Sequence, residues 1–307
     1  MSKPKWTAER IPSQAGRRVL VTGANSGIGW HTALELVRKG AEVVLPARTE
    51  AKAQDAVKRI QAEVPEAKVA PAILDLADLS SVKRFAAEVG DRPLDLLINN
   101  AGVMALPQRE LTVDGFERQF ATNFLGPFAL TALLLPAVLR TPGSRVVTVA
   151  STASNYGKID FDNLQSERVY KPMFGTYSQS KLADLIFAIE LQRRLSAAGS
   201  MTISTAAHPG YAVTNLQHDD LSLGLKLATK LLKPVLSQDA ARGALPTLFA
   251  AVAPEAQPGG YYGPDGFQEL KGSPAAAKIP AAAKDRAVAE RLWTEAEKLT
   301  GVNFSVA

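Results

Sequence analysis

Residues 19–30 read VLVTGANSGIGW: three apolar side chains, a threonine, then Gly23, Gly27 and Gly29 within seven positions. Valine and leucine in extended backbone make a strand that can be buried on both faces. Gly23 lets the chain turn sharply as it leaves that strand. Gly27 keeps the backbone bare where a pyrophosphate can lie against it, and Gly29 lets the following helix pack close on the sheet. The helix that begins here presents unpaired N–H groups and the positive end of its dipole to the anion. The spacing is G-x-x-x-G-x-G rather than G-x-G-x-x-G. Its place after a first buried strand favours a dinucleotide-binding turn over a mere packing turn.

Working outward, β-rich runs over 17–23, 41–47, 68–76, 94–102, 144–151 and 201–210 alternate with helical stretches over 28–39, 50–63, 81–89, 116–139 and 176–195. Apolar strands alternating with helices predict an α/β fold: a single Rossmann-type doubly wound parallel sheet of about seven strands, helices on both faces, right-handed crossovers. No linker or composition break divides 1–307, so one domain is expected, with 1–15 an N-terminal extension and 263–307 a C-terminal extension. The stretch PAAAKIPAAAK (274–284) reads as a surface loop or short helix, and Trp293 as core.

Composition narrows the function classes. The chain has no cysteine, which excludes disulfides, thiolate metal sites and a cysteine nucleophile. No Asp/His/Glu grouping has metal-ligand spacing, and His31 and His208 read as structural. Lysine and arginine number 35 against 30 acidic residues, net +5, but no run of like charge forms, so no nucleic-acid partner is expected. The apolar run ALTALLLPAVL (129–139) is well short of the ~20 residues of a membrane span, and the opening stretch MSKPKWTAERIPSQAGRR has no apolar signal core. The expectation is a cytoplasmic protein with no transmembrane segment.

The second strand bears on which dinucleotide. A site for an unphosphorylated ribose places an acidic residue about 20 positions past the glycines. Here Ala47 occupies that place and Arg48 follows. An arginine pairs well with a 2′-phosphate, which points to NADP(H); the competing reading is an exposed loop arginine. Further along, TYSQSK (176–181) sets Tyr177 and Lys181 four residues apart, one turn apart on a helix face.

Several stretches fall in order: TGANSGIG (22–29), LDLADL (74–79), NNAG (99–102), TNFLG (122–126), VAS (149–151), YSQSK (177–181) and HPG (208–210) followed by Thr214. Together they resemble the short-chain dehydrogenase/reductase family from about residue 16 to 262. VVLPARTEAKAQ and GKIDFDNLQSERVY are most similar to its retinol dehydrogenase, WW-domain oxidoreductase and protochlorophyllide reductase branch. The resemblance implies a catalytic tetrad of Asn123, Ser151, Tyr177 and Lys181. A phenol titrates near ~10, and a neighbouring ammonium stabilises phenolate, so Tyr177 would exchange a proton with the substrate oxygen. Ser151 would hold that oxygen, with Ser154 as the competing serine, and Lys181 would also bind the nicotinamide ribose. Asn123 would hold a water joining Lys181 to solvent, or merely cap or kink its helix near Pro127.

For the cofactor, the resemblance implies Gly23, Asn25, Ser26, Gly27, Ile28, Gly29, Arg48, Asp75, Leu76, Asn100, Ala101, Gly102, Tyr177, Lys181, Pro209, Gly210 and Thr214. Asp75 would approach the adenine or cap the next helix, and Asn99 would tie strands together. The implied reaction is hydride transfer between NADP(H) and a small hydrophobic carbonyl or alcohol substrate, a retinal-like aldehyde, ketone or alcohol. The rival is a non-catalytic NADP(H) sensor or partner-binding protein on the same fold. Residues 215–236 are expected to form a substrate lid. Within them, 221–236 is an amphipathic stretch with Lys226, Lys230 and Lys233, readable as lid or as a peripheral membrane contact. The chain shows no N-terminal apolar anchor, no active-site cysteine and no WW domain of the kinds that branch carries. Family habit implies a homo-oligomer, a dimer or tetramer.

Overall fold

The structure is a computed structural model; it describes residues 5–211 and 238–306. Eight strands form one sheet: β1 (Arg18–Val21), β2 (Glu42–Ala47), β3 (Val69–Ile73), β4 (Leu96–Asn99), β5 (Arg145–Val149), β6 (Ile203–Ala207), β7 (Tyr261–Pro264) and β8 (Pro274–Ala276). Their order is β3-β2-β1-β4-β5-β6-β7-β8. Every neighbouring pair is parallel except β7 with β8, which is antiparallel. The expected doubly wound parallel sheet is therefore present, with an eighth, antiparallel strand at one border. That strand comes from the 274–284 stretch read as loop or short helix. Pro274–Ala276 is instead strand, held by Tyr262–Pro264, and Ala281–Lys284 forms a short 3₁₀ turn.

Helices cover both faces because strand side chains alternate. Val19 and Val21 point into a layer built with α1 (Gly27–Arg38), α2 (Glu50–Glu63) and α6 (Ala240–Val252). Leu20 points into the other, built with α3 (Leu79–Val89), α4 (Arg118–Leu139), α5 (Ser178–Ala197) and α7 (Arg286–Thr300). Phe124, Phe128, Phe187, Trp293 and Phe304 interlock there, Phe128 and Trp293 at 5.2 Å centroid to centroid. Trp293 is core, as expected. On the opposite layer Trp6 of the N-terminal extension packs edge-on against Phe249 at 5.5 Å.

Two helices differ from expectation near the motifs. α4 begins at Arg118 rather than 116, and its Ala121–Leu125 segment is a π-turn carrying Asn123. Pro127 follows where the α-helical ladder resumes, a position that needs no proline N–H. α5 begins at Ser178 and is likewise preceded by a π-turn, Pro172–Tyr177. Both π-turns carry a residue of the implied tetrad, consistent with the clustering of such turns at functional sites. By length and apolarity alone α4, at 22 residues, passes the test for a membrane span that the sequence runs did not reach. Within it the most apolar window is 78% buried by protein, which marks a core helix.

Candidate active site

The parallel strands end along one edge, where the chain order reverses between β1 and β4, the crevice in which such sheets bind ligands. Gly23 follows β1 with φ 66°, and a Cβ there would stand 2.8 Å from the Cα of Ala101. A Cβ on Gly29 would stand 2.4 Å from Asn100 Nδ2 and 2.5 Å from the Gly23 carbonyl. Both positions need glycine, as the sequence implied. Asn100 staples the turn: its Nδ2 donates to the Thr22 carbonyl at 2.8 Å, while the N–H groups of Asn100 and Ala101 donate to Thr22 Oγ1 at 3.0 Å. Ser26 is the N-cap residue of α1 but its side chain makes no capping bond. The N–H groups of Gly27, Ile28 and Gly29 are thus left for an anion, with Asn25 beside them.

Arg48 is exposed where β2 ends and has no ion-pair partner among the described residues. Asp75 is half-buried and its Oδ1 accepts from the Ala77 N–H at 2.9 Å. The cap of α3 is Asp78, which accepts from Ser80 and Ser81, so the capping alternative for Asp75 falls. The Leu76 side chain is buried in the core, leaving its backbone to meet a cofactor. Ala101 and Gly102 are half-buried at the end of β4. Asn99 donates to Thr131 Oγ1 at 2.9 Å and ties β4 to α4. Pro209 accepts from Gln238 at 2.7 Å, and Gly210, φ 66°, donates to His208 Nδ1 at 3.2 Å. Thr214 and the whole of 215–236 lie outside the described residues.

The tetrad positions converge behind this turn. Tyr177, 8% exposed, sits one turn before Lys181, 5% exposed. Lys181 Nζ donates to the Val149 carbonyl at 2.9 Å and to Asp184 Oδ2 at 2.8 Å. Burial opposes its charge, but Asp184 and Tyr177 outweigh that cost and hold the ammonium above its ordinary range. Burial pushes the Asp184 carboxyl up, to about 7, against the pull of Lys181. Asn123 is fully engaged: Oδ1 accepts from the Val103 N–H at 2.8 Å, and Nδ2 donates to the Val103 carbonyl and Ser180 Oγ, each at 2.9 Å. Its Oδ1 and Lys181 Nζ both border Gly102, at 3.2 and 3.5 Å from where a Cβ would stand. Ser151 heads the Thr152–Tyr156 turn, its Oγ accepting from the Ala153 N–H at 3.2 Å. The competing Ser154 is fully buried.

Three residues near this edge were not singled out in the sequence. Asp184 is one. Tyr261 of β7 is another: its phenol reaches the Ser151 carbonyl at 3.4 Å, and burial pushes its hydroxyl well above the ordinary phenol range. The third is Glu269, whose Oε2 lies 3.0 Å from Nε2 of the buried His208. His208 is structural, as read, and the signal for its partner lay 61 residues downstream.

Glycine cradle, uncapped helix end and unpaired arginine fit a dinucleotide, and a buried Tyr–Lys pair at the same edge fits proton exchange. Fold and glycine turn together define an α/β protein of the dinucleotide-binding class. The chain belongs to the short chain dehydrogenase family, whose model matches residues 17–222. That family binds a nicotinamide cofactor, so the protein is an oxidoreductase of the retinol dehydrogenase-like branch. It is 41% identical over 298 residues to the polyprenol dehydrogenase of Mus musculus, covering 95% of this chain and 86% of that one. It is 40% identical over 306 residues to human retinol dehydrogenase 13, covering 96% and 89%. A crystal structure of a Mycobacterium paratuberculosis protein matches with TM-score 0.82 and 42% identity, covering 98% of this chain and all of that one. A Beutenbergia cavernae gluconate 5-dehydrogenase with bound NADP matches with TM-score 0.62 and 27% identity, covering 81% and 95%.

Proposed function

We propose that this protein is an NADP(H)-dependent oxidoreductase that interconverts a hydrophobic carbonyl compound and its alcohol, with Tyr177 as general acid and base. The observation that carries the reading is the buried Tyr177–Lys181 pair at the strand edge onto which the glycine turn opens. Ser151 is placed at the end of β5 to hold the reacting oxygen while Tyr177 gives or takes its proton. Lys181, kept charged, stabilises the phenolate that remains after donation. Asn123 fixes Val103 in the loop after β4 and, through Ser180, the first turn of α5. When bound, the nicotinamide supplies or accepts the hydride.

Arg48 supports the choice of the phosphorylated cofactor, since Ala47 at the end of β2 offers no carboxylate for a ribose 2′-hydroxyl. The names of the mouse and human relatives point to long apolar alcohols. Tyr156 and Phe174, both exposed and edge to face at 6.1 Å on the connection leading to Tyr177, suit such substrates. A cytoplasmic location, a lid over 215–236, peripheral membrane contact through 221–236 and a homo-oligomer belong to the same reading.

The test is NADPH consumption across a panel of apolar aldehydes and ketones, retinal included, beside Tyr177→Phe. Turnover that disappears in the variant while NADPH still binds is the expected result. Equal turnover in both proteins would overturn the assignment; NADPH binding without turnover anywhere would favour the sensor.

A further inference from the structure

Among ion pairs three or four residues apart on one helix, Lys181–Asp184 differs from the rest. Its side chains are 6% and 2% exposed, whereas those of Arg38–Glu35 are 42% and 21% and those of Arg286–Glu290 are 70% and 48%. A surface pair of that spacing contributes little; a buried one costs desolvation on both partners and needs another reason to exist. Asp184 Oδ1 has no hydrogen-bond partner among the described residues, so the carboxylate is held there by Lys181 alone. The lysine is clamped in turn. Two of its three protons go to Val149 and Asp184, and the ammonium faces Gly102 and Tyr177 with what remains.

We propose that Asp184 is a positioning residue which fixes Lys181 Nζ and, in its ionised form, cancels part of the field the ammonium exerts on Tyr177. The inference rests on the Tyr177–Lys181 reading above. Its consequence is chemical. An ammonium with no counter-charge pulls a phenol strongly toward phenolate; one already paired pulls less, and the tyrosine stays a phenol to higher pH. A phenol is the form that donates a proton to a carbonyl oxygen, so the pair biases the site toward reduction. The other titratable groups facing Tyr177 come from neighbouring elements: Tyr261 on β7, and beyond it His208 with Glu269. Glu269 is engaged with His208 at 3.0 Å, which leaves Asp184 as the carboxylate in direct contact with the lysine.

The experiment compares wild type, Asp184→Asn, Asp184→Glu and Tyr177→Phe by two readouts. One is the pH dependence of kcat/KM for alcohol oxidation. The other, which needs no substrate, is the phenolate absorbance that wild type has and Tyr177→Phe lacks, followed through an alkaline titration. In Asp184→Asn the acid limb of the rate profile and the phenolate transition both move down by about one pH unit, while Asp184→Glu stays with wild type. No movement, or movement upward, overturns the proposal and leaves Asp184 a packing residue. Turnover that persists in Tyr177→Phe alongside a shifted phenolate would overturn the catalytic reading and leave the coupling standing. Should Asp184→Asn not fold, the carboxyl carbon resonance of Asp184 in wild type decides. An ionised carboxylate across the range where Tyr177 titrates supports the proposal, and a protonated one sinks it.

Discussion

The amide nitrogen of Asn100 stands 2.4 Å from the point where a Cβ on Gly29 would be, so the end of β4 and the start of α1 meet with no room for a methyl group. The second neighbour of that point is the backbone carbonyl of Gly23, at 2.5 Å, which cannot swing aside as a flexible side chain would.

Gly29→Ala should therefore open the glycine turn and displace Asn100 from Thr22. The expected outcome is a stability loss of about 1–3 kcal/mol and at least a roughly tenfold weaker NADPH affinity. Chemical denaturation and titration of NADPH fluorescence read the two effects. Unchanged affinity would mean that the turn does not face the cofactor.

Arg48→Ala removes an exposed guanidinium without touching any hydrogen bond of the fold. A charge-assisted contact contributes roughly 1.5–3 kcal/mol, so NADPH affinity should fall by about ten- to a hundredfold, with NADH affinity nearly constant. Equal losses for the two cofactors would remove the 2′-phosphate argument.

Glu190 gives a pH prediction. Burial opposes its ionisation, but bonds from Arg193 at 2.6 and 2.7 Å and from Arg194 at 2.8 Å outweigh this and hold the carboxyl below its ordinary range. A carboxyl lowered on folding stabilises the fold above its unfolded value, near ~4.3, and loses that contribution as pH falls through the folded value. Glu190→Gln should be less stable than wild type at pH 7, and the gap should close as the medium is acidified below about 4. Denaturation midpoints measured across that range check it; a gap independent of pH would show that the arginine contacts act by packing alone.

Phe128 has no exposed surface and touches Phe124, Phe187, Trp293 and Phe304. Phe128→Ala should cost about 3–5 kcal/mol and loosen α7 from α4 and α5. Loss of the near-ultraviolet signal of Trp293 at lower denaturant than wild type would report it.

How much of this was legible in the sequence depends on whether a side chain carries its own signal. The β1 turn did, because Gly23 and Gly29 mark backbone conformations and close approaches that other residues cannot make. β1, β2, β4, β5 and β6 did, since burial on both faces leaves a largely apolar run, and β3 followed from its place in the alternation although it is a half-exposed border strand. β8 did not: Pro274, Ala275 and Ala276 have no strand character, and antiparallel pairing with Tyr262–Pro264, closed by bonds from Ala277 to Tyr261 and from Asp265 to Ser273, makes them extended. α6 was not singled out: it holds Gly243 and Pro246, both poor helix formers, and packs against α1 and β6. In the site, Tyr177 and Lys181 stood out through their spacing. Asp184 did not, because an acid three residues past a lysine is the commonest surface pair of a helix. The apolar run on either side of it, LADLIFAIEL, was the available clue that this face has no surface.

The strand order carries a consequence for how the molecule comes into being. β1, β2 and β3 are made first and lie together at one border; β4 then pairs with β1, and from β5 onward each new strand adds beside the one just made. From β4 on, a chain emerging from the ribosome can thus lay down its sheet in the direction of synthesis, at one advancing margin. Until residue 261 emerges that margin is β6, a full-length strand with unpaired backbone groups, able to recruit another nascent chain. The β7–β8 pair ends this interval: three residues long and beginning with a proline, β8 gives a second molecule little to build on.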